Sequence, residues 1–259
     1  MHNRIRFMML SGWMFVTACD ATPDTLVGEN IASHSNALEN ENALNLNALN
    51  LNALDSTSLN AIQAPGPSGD MARQLVQYAV SCALDSTQSF SFTWRDTGGV
   101  THQENDPGLL GLATDWASQP LSASGEQWVS ACLAARVNWY GVHVMLSARG
   151  SNTGLQVSDP ERSTFMLQEG AFFGNLFGPT PKVYSCDNDA HVDLARSRYR
   201  DCAAGHLNLD TSVSDCGIIQ RLGSCSSRCA AADPTDGYYP SCRDPGETPI
   251  AETITIYLE

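Results

Sequence analysis

The sequence has very little positive charge, and this excludes one broad class of function. Lys182 is the only lysine, and the chain carries 14 basic against 28 acidic residues, for a formal net charge of −14. Binding to nucleic acid requires clustered Lys and Arg side chains that neutralise phosphates. The composition therefore excludes a nucleic-acid partner and argues equally against anionic lipid headgroups. An acidic surface of this kind suits cations or basic partners.

The sequence also lacks the local motifs of the common hydrolases. In the segment at residues 150–154, which resembles G-x-S-x-G, Asn152 occupies the serine position. There is no H-E-x-x-H motif and no phosphate-binding loop, and Pro179 stands where a Ser-x-x-Lys dyad at Lys182 needs its serine. A triad assembled from distant residues stays open. The available bases are His102, His143, His191 and His206.

The apolar run at residues 7–16 is too short to span a bilayer, which takes roughly 20 residues. Two arginines precede it and small residues follow it, as in a bacterial export signal. The end of the run, Val-Thr-Ala-Cys, resembles the lipobox of bacterial lipoproteins. This resemblance implies removal of residues 1–18, acylation of Cys19 and anchoring in the cell envelope, on the periplasmic or outer surface. The alternative is ordinary secretion after a cut at the same bond.

Residues 19–68 contain repeats of an Asn-Ala-Leu theme, with leucines at a period of five. This period fits neither a helix nor a strand. We therefore predict a low-complexity tether that holds the domain away from the membrane. The alternative is an ordered coil like that of pentapeptide-repeat solenoids, although the repeats make about one coil where roughly three are needed. Residues 65–69, rich in Pro and Gly, mark the start of a globular domain at 69–259.

Acylation of Cys19 would leave an even number of cysteines, which in an oxidising compartment predicts four disulfides. Cys82 and Cys132 each lie on the apolar face of a predicted helix, so we predict that they pair across a helix–helix contact. The last six cysteines allow 15 connectivities, and the sequence does not choose among them. The eight cysteines are Cys82, Cys132, Cys186, Cys202, Cys216, Cys225, Cys229 and Cys242.

Two segments of the sequence partly resemble metal sites, and neither is predicted to bind a metal. A zinc site would use the C-x-x-x-C at residues 225–229, but zinc usually needs a second such pair, and an oxidising compartment favours disulfides. The acidic segment starting at Asp187 resembles a calcium loop. It has Val192 where the loop needs glycine and Arg198 where it needs a bidentate glutamate.

The pattern of elements predicts an α+β domain, in which disulfides and two amphipathic helices support a mainly antiparallel sheet. One helix is predicted over residues 70–84. The other is predicted from a Ser124 cap, with Gln127 completing a capping box, to Gly141. Residues 102–122 are predicted as loop. Strands are predicted at 90–94, from Val100, at 142–146, within 165–177 as one strand or a bent pair, at 183–186 and at 253–258.

Three residues are candidates for a binding site. Glu169 stands inside an apolar run, which places it either on the wet face of a strand or in a cleft with a raised pKa. Tyr238 and Tyr239, between Gly237 and Pro240, are predicted to be exposed and able to stack on a ligand. The neighbouring pair Trp139–Tyr140 is a weaker candidate, since Trp139 fits the core. Glu104, Glu126 and Glu161 are further carboxylates by residue type only.

Together, the lipobox, the Asn-Ala-Leu repeat and the scattered cysteines resemble uncharacterised cysteine-rich lipoproteins of myxobacteria. The resemblance implies a lipid-anchored, disulfide-bonded domain and supplies no activity. A long flexible arm gives reach, which favours a binding module over an enzyme for small substrates. We therefore predict a non-enzymatic module of the cell envelope that binds a protein or a glycan, with no cofactor. The alternative is an exported hydrolase that uses a carboxylate or histidine site.

Overall fold

The computed structural model describes residues 33–36, 38–39, 54 and 59–259, and for the first two stretches only the backbone. The predicted export signal, Cys19 and most of the predicted tether lie outside these residues. Inside them, residues 33–36 and 38–39 form strands that pair with the domain, and Leu59 and Ile62 lie in its core. The folded domain therefore begins before residue 69.

Twelve strands and five α-helices make up the regular structure of the described residues. The strands are β1 (Ser33–Asn36), β2 (Leu38–Glu39), β3 (Ser89–Arg95), β4 (Thr101–Pro107), β5 (Val137–Asn138), β6 (Val144–Arg149), β7 (Leu167–Asn175), β8 (Lys182–Asp187), β9 (His206–Leu207), β10 (Val213–Ser214), β11 (Ile219–Ser224) and β12 (Ile254–Leu258). The helices are α1 (Pro67–Ala83), α2 (Ala123–Arg136), α3 (Asp159–Thr164), α4 (Val192–Ser197) and α5 (Cys225–Arg228). Among the described residues, no helix is long and apolar enough to cross a membrane.

Six strands form the central sheet, in the order β1–β6–β12–β7–β8–β11. All neighbouring strands are antiparallel except β8 and β11. The C-terminal strand β12 lies inside the sheet, and all of its residues are buried. The α+β class and the mainly antiparallel sheet are therefore confirmed.

The second predicted helix, α2, is buried on two sides, because it packs on β7 and α1 packs against it. Its ends differ from the prediction. Ser122 is the N-cap, and its hydroxyl accepts from the Gly125 amide at 3.1 Å, whereas Ser124 donates to Glu252. The helix ends at Arg136, because Val137 adopts an extended conformation and enters β5. Because two layers cover this helix, its residues from Trp128 to Arg136 are all buried.

The hairpin β3–β4 confirms the predicted strand at residues 90–94. The return strand continues to Pro107, so the loop prediction is wrong for residues 102–107. The sequence signal was weak because β4 is polar throughout and lacks an alternation of apolar residues. Backbone pairing with β3, and not hydrophobic pattern, holds this segment extended.

The four disulfides use all eight cysteines of the domain. Cys82 of α1 and Cys132 of α2 are bonded, with Cα atoms 6.0 Å apart, which confirms the predicted pair. The other pairs are Cys186–Cys225, Cys202–Cys216 and Cys229–Cys242. On β7 and β8, side chains such as Phe173 and Tyr184 join Cys225 and Cys242 in a second, smaller core. The polar C-terminal segment is thus attached to the sheet by sulfur as well as by packing.

Candidate functional site

A cleft of about 290 Å³ lies between α1 and the β3–β4 hairpin. Its polar lining is unbalanced in charge, with three carboxylates, one guanidinium and two amides. These side chains are Asp70, Glu104, Asp106, Arg73, Gln74 and Gln77. The excess of negative charge makes the cleft a candidate site for a cationic group.

The hairpin register builds one wall of the cleft. Along the two strands, Phe90 pairs with Asp106, Phe92 with Glu104, and Trp94 with His102. Because side chains two residues apart project to the same side of a strand, the aromatic series of β3 lies beside the polar series of β4. Phe90 and Phe92 are buried in the main core, which fixes the hairpin and with it the two carboxylates.

Asp106 is the unusual residue of the cleft. It is 6% exposed, and its Oδ2 atom has no hydrogen-bond partner among the described residues. Burial, together with the nearby negative charge of Glu104, raises the pKa of Asp106 to about 6. Buried polar groups in folded proteins are normally hydrogen-bonded. A carboxylate beside a cleft with one buried, unpaired oxygen therefore points to a missing partner.

The cation of the cleft, Arg73, is already engaged. Its guanidinium donates to the carbonyls of Ile62 and Ala64 at 2.8 and 3.0 Å and pairs with Asp70. It also lies 3.5 Å from the centre of the Trp94 ring. Within the described part of the chain, no ion pair joins Arg73 to Asp106. Arg73 therefore anchors the wall of the cleft and leaves the hairpin carboxylates without a counter-ion.

Glu104 is held in place by Trp94. The indole Nε1 donates to Glu104 Oε1 at 3.0 Å, and the His102 ring stacks on Trp94 with centres 4.5 Å apart. His102 in turn lies 2.9 Å from Asp96 Oδ2. The stacking surface of Trp94 is thus occupied by the chain's own groups, and Glu104 has a fixed orientation beside Asp106.

Glu169 does not lie on a wet face, so that prediction is wrong. It is 1% exposed, and its Oε2 accepts from Arg200 at 2.9 Å. Burial raises the pKa of Glu169, and Arg200 opposes that rise. Arg200 also donates to the carbonyls of Ala135 and Val137, both at 2.9 Å. The alternative placed Glu169 in a cleft with a raised pKa, but the carboxylate instead joins β7, through Arg200, to the end of α2 inside the domain.

The predicted exposed tyrosines are half-buried. The Tyr239 ring packs on the second core, its amide donates to Thr255 Oγ1 at 2.9 Å, and its hydroxyl lies 3.3 Å from Gln168 Oε1. Tyr238 accepts from the Asp233 amide through its carbonyl at 2.8 Å. Tyr239 therefore anchors its loop to the second core and to Thr255 of β12, whereas the bond of Tyr238 lies within the loop.

The more exposed aromatic surface is at Tyr140, the candidate that the sequence favoured less. Its hydroxyl donates to Asp201 Oδ2 at 2.9 Å, and it meets Tyr199, which is 58% exposed, edge to face. His206 lies 2.6 Å from the same Asp201 oxygen and stacks on Trp139. Trp139 is half-buried against the core.

A histidine-based triad is not assembled. In the described residues, no histidine ring hydrogen-bonds a serine hydroxyl; His191 Nδ1, for example, lies 3.0 Å from the Gln168 carbonyl. The described residues bring together one metal-like group, the sulfurs of Cys186, Cys229 and Cys242, within 4.8 Å of one another. All three are in disulfides and offer no thiolate ligand. The acidic loop starting at Asp187 forms no such group.

The fold and the cleft thus define a disulfide-bonded α+β domain with an acidic cleft on its helical side. Searches against protein-family models, curated proteins and solved structures find no match for this chain.

Asp106 and Arg73 are the site residues that sequence reasoning missed. The spacing His102-x-Glu104-x-Asp106 was the available signal, since alternation places these side chains on one face of a strand.

Proposed function

We propose that this chain is an exported, lipid-anchored binding module of the cell envelope, and that its acidic cleft holds an ammonium or guanidinium group of a partner protein. One observation carries the proposal: Asp106 is buried at the cleft without a hydrogen-bond partner for Oδ2. A Lys or Arg side chain of a partner protein that enters the cleft would pair with the Asp106 carboxylate and form charge-assisted hydrogen bonds with it.

Charge supports a cationic ligand. A buried ionised carboxylate is costly unless it is paired, and the Arg73 guanidinium is committed elsewhere. Glu104 stands beside Asp106 on the same strand, so an incoming cation would meet two carboxylates. The net charge of −14 would also attract basic partners over a distance.

A protein side chain is favoured over a sugar. Sugar recognition commonly uses the free face of an aromatic ring, and the Trp94 ring is covered by Arg73 and stacked by His102. Export and anchoring are supported by the resemblance of residues 1–19 to a lipoprotein signal. The four disulfides agree with an oxidising compartment.

The test is calorimetric titration at pH 7.5 with short peptides that contain lysine or arginine. Peptides with acetyl-lysine and oligomers of glucosamine with free amines serve as the other arms. We expect the basic peptides to bind and Asp106→Asn to weaken that binding about tenfold or more, which corresponds to about 1.4 kcal/mol. Asp193→Asn, at a fully exposed site, is the matched control.

Equal affinity of the Asp106→Asn and Asp193→Asn variants for the basic peptides would contradict the proposal. Binding of acetyl-lysine peptides as tightly as of lysine peptides would contradict the role of charge. Binding of the glucosamine oligomers but of none of the basic peptides would contradict a protein partner and would indicate an amino-sugar ligand.

A second candidate, an exported hydrolase, is favoured by the same pair of carboxylates. Asp106, with its pKa near 6, suits a general acid, and Glu104 beside it suits a base or nucleophile. Chromogenic glycosides provide the assay. The hydrolase is supported if the native protein turns over a glycoside and both Asp106→Asn and Glu104→Gln abolish that turnover. If the native protein shows no turnover, the binding module is the favoured function.

A further inference from the structure

Two disulfides lie against each other under the sheet. Cys186–Cys225 joins β8 to α5, and Cys229–Cys242 begins one residue after α5. The Sγ atoms of Cys186 and Cys229, which belong to different disulfides, are 3.5 Å apart. Cys186 therefore has two sulfur neighbours, one bonded and one in contact.

The short helix α5 creates this arrangement. Cys225 and Cys229 are four residues apart, and the Cys229 amide donates to the Cys225 carbonyl at 2.9 Å. Residues at this spacing lie on the same helical face. Cys225 at the start of α5 and Cys229 directly after its end therefore both lie against Cys186 on β8.

The two disulfides differ in access. Cys186 and Cys225 are fully buried, and Cys242 is nearly so, whereas Cys229 is half-exposed. Cys229 and Cys242 also line a surface pocket of about 240 Å³ that includes Arg228 and Arg243. Positive charge beside a cysteine favours its thiolate. The outer disulfide is thus reachable from a pocket that two arginines also line.

We propose that Cys229–Cys242 is a thiol–disulfide exchange site for an external dithiol, and that Cys229 passes the exchange to Cys186–Cys225. The site is separate from the acidic cleft, and its function does not depend on what the cleft binds. The remaining disulfides, Cys82–Cys132 and Cys202–Cys216, are buried and serve as internal controls.

The external step reduces the outer disulfide. A thiolate of the dithiol attacks Sγ of Cys229, the Cys229–Cys242 bond breaks, and Cys242 leaves with the electron pair and takes a proton from water. The second thiol of the reagent attacks the mixed disulfide and releases Cys229 as a thiolate. The dithiol is oxidised to a disulfide, and one protein disulfide is reduced to two thiols.

The internal step involves no net oxidation or reduction. The Cys229 thiolate attacks Sγ of Cys186, a new Cys186–Cys229 bond forms, and the Cys186–Cys225 bond breaks. Cys225 leaves with the electron pair and takes a proton. The protein then carries free thiols at Cys225 and Cys242 instead of Cys229 and Cys242.

The test is partial reduction of the purified protein with limiting dithiothreitol, followed by trapping with N-ethylmaleimide after increasing delays and peptide mapping. We expect labels on Cys225 and Cys242, together with a Cys186–Cys229 linkage that increases with delay. Labels confined to Cys229 and Cys242 at every delay would overturn the internal step. First reduction of Cys82–Cys132 or Cys202–Cys216 would overturn the external one.

A pair of variants repeats the test without a reductant. Cys242→Ser leaves Cys229 unpaired, and we expect part of the protein to carry the Cys186–Cys229 linkage with Cys225 free. Cys216→Ser is the matched control, because it leaves Cys202 unpaired away from the contact, and Cys186–Cys225 should stay intact. An intact Cys186–Cys225 pair in all of the folded Cys242→Ser protein would contradict the relay. The native-protein mapping decides the question if the variant does not fold.

Discussion

At the scale of single residues, Asp106 shows how a buried, unpaired carboxylate oxygen weakens the fold that carries it. A carboxylate with a raised pKa in the folded protein is less stable there in its ionised form than in the unfolded chain. The cleft offers Asp106 no cation, because Arg73 is turned to two carbonyls and Asp70. The ionised side chain is thus a cost that a cationic ligand would remove.

We predict that Asp106→Asn stabilises the protein at neutral pH. The pKa of Asp106 rises from 3.8 to about 6 on folding, and each pKa unit corresponds to about 1.4 kcal/mol. Well below pH 3.8 the side chain is neutral in both the folded and the unfolded state, so its full stabilising contribution is present. That contribution is lost as pH rises through 6. The variant should therefore gain at most about 3 kcal/mol at pH 7.5 and much less near pH 4.

Urea unfolding at both pH values measures this effect, with Asp193→Asn as the exposed control. An equal gain for Asp106→Asn at pH 4 and pH 7.5 would show that ionisation is not its cause. A loss of stability at pH 7.5 would show that Asp106 has a partner that stabilises its charge.

The same scale shows why the candidate residues were hard to predict. The burial of Glu169 depends on Arg200, which is 31 positions away in sequence, and the burial of Asp106 depends on the packing of α1 over the hairpin. Neither contact leaves a local pattern. A raised pKa at Glu169 was one of two alternatives, and only the structure separates an internal ion pair from a carboxylate at a cleft.

At the scale of elements, the sequence predicts those helices and strands whose own hydrophobic pattern determines their conformation. The first helix and the aromatic strand β3 carry clear periodicity and were predicted within a few residues. The β4 strand was missed because it is polar throughout and is held by its partner. The predicted cap of α2 lies two residues too late, because Ser124 and Gln127 have the spacing of a capping box whereas the Ser122 hydroxyl caps the helix.

The two serines give a direct test of the N-cap. We predict that Ser122→Ala lowers the free energy of unfolding by about 1 kcal/mol, because it removes the hydroxyl that accepts from the Gly125 amide. Ser124→Ala loses a hydrogen bond to Glu252 at an exposed position and should cost about 0.5 kcal/mol or less. Chemical unfolding of both variants measures these two free energies. A larger loss of stability in Ser124→Ala than in Ser122→Ala would show that Ser124 is the N-cap.

At the scale of the whole molecule, disulfides connect separate elements of the fold. The Cys82–Cys132 bond fixes α1 to α2, and α1 carries the Arg73 wall of the acidic cleft. This pair followed from two helical faces, so the sequence was sufficient to predict it. The other three pairs were not predictable, because they depend on which strands meet in the sheet; Cys186 and Cys225, for example, meet through the parallel pairing of β8 with β11.

We predict that the cost of removing a disulfide follows the length of chain that it closes. Cys82–Cys132 spans 50 positions and Cys202–Cys216 spans 14. By restricting the unfolded chain, the first bond should raise the free energy of unfolding by about 4 kcal/mol and the second by about 3 kcal/mol. Double Cys→Ala variants of each pair, unfolded in urea without reductant, measure both values. Both pairs are buried, so the substitutions leave comparable cavities. A larger loss for Cys202–Cys216 would mean that native-state packing around that loop, and not chain entropy, dominates its stabilisation.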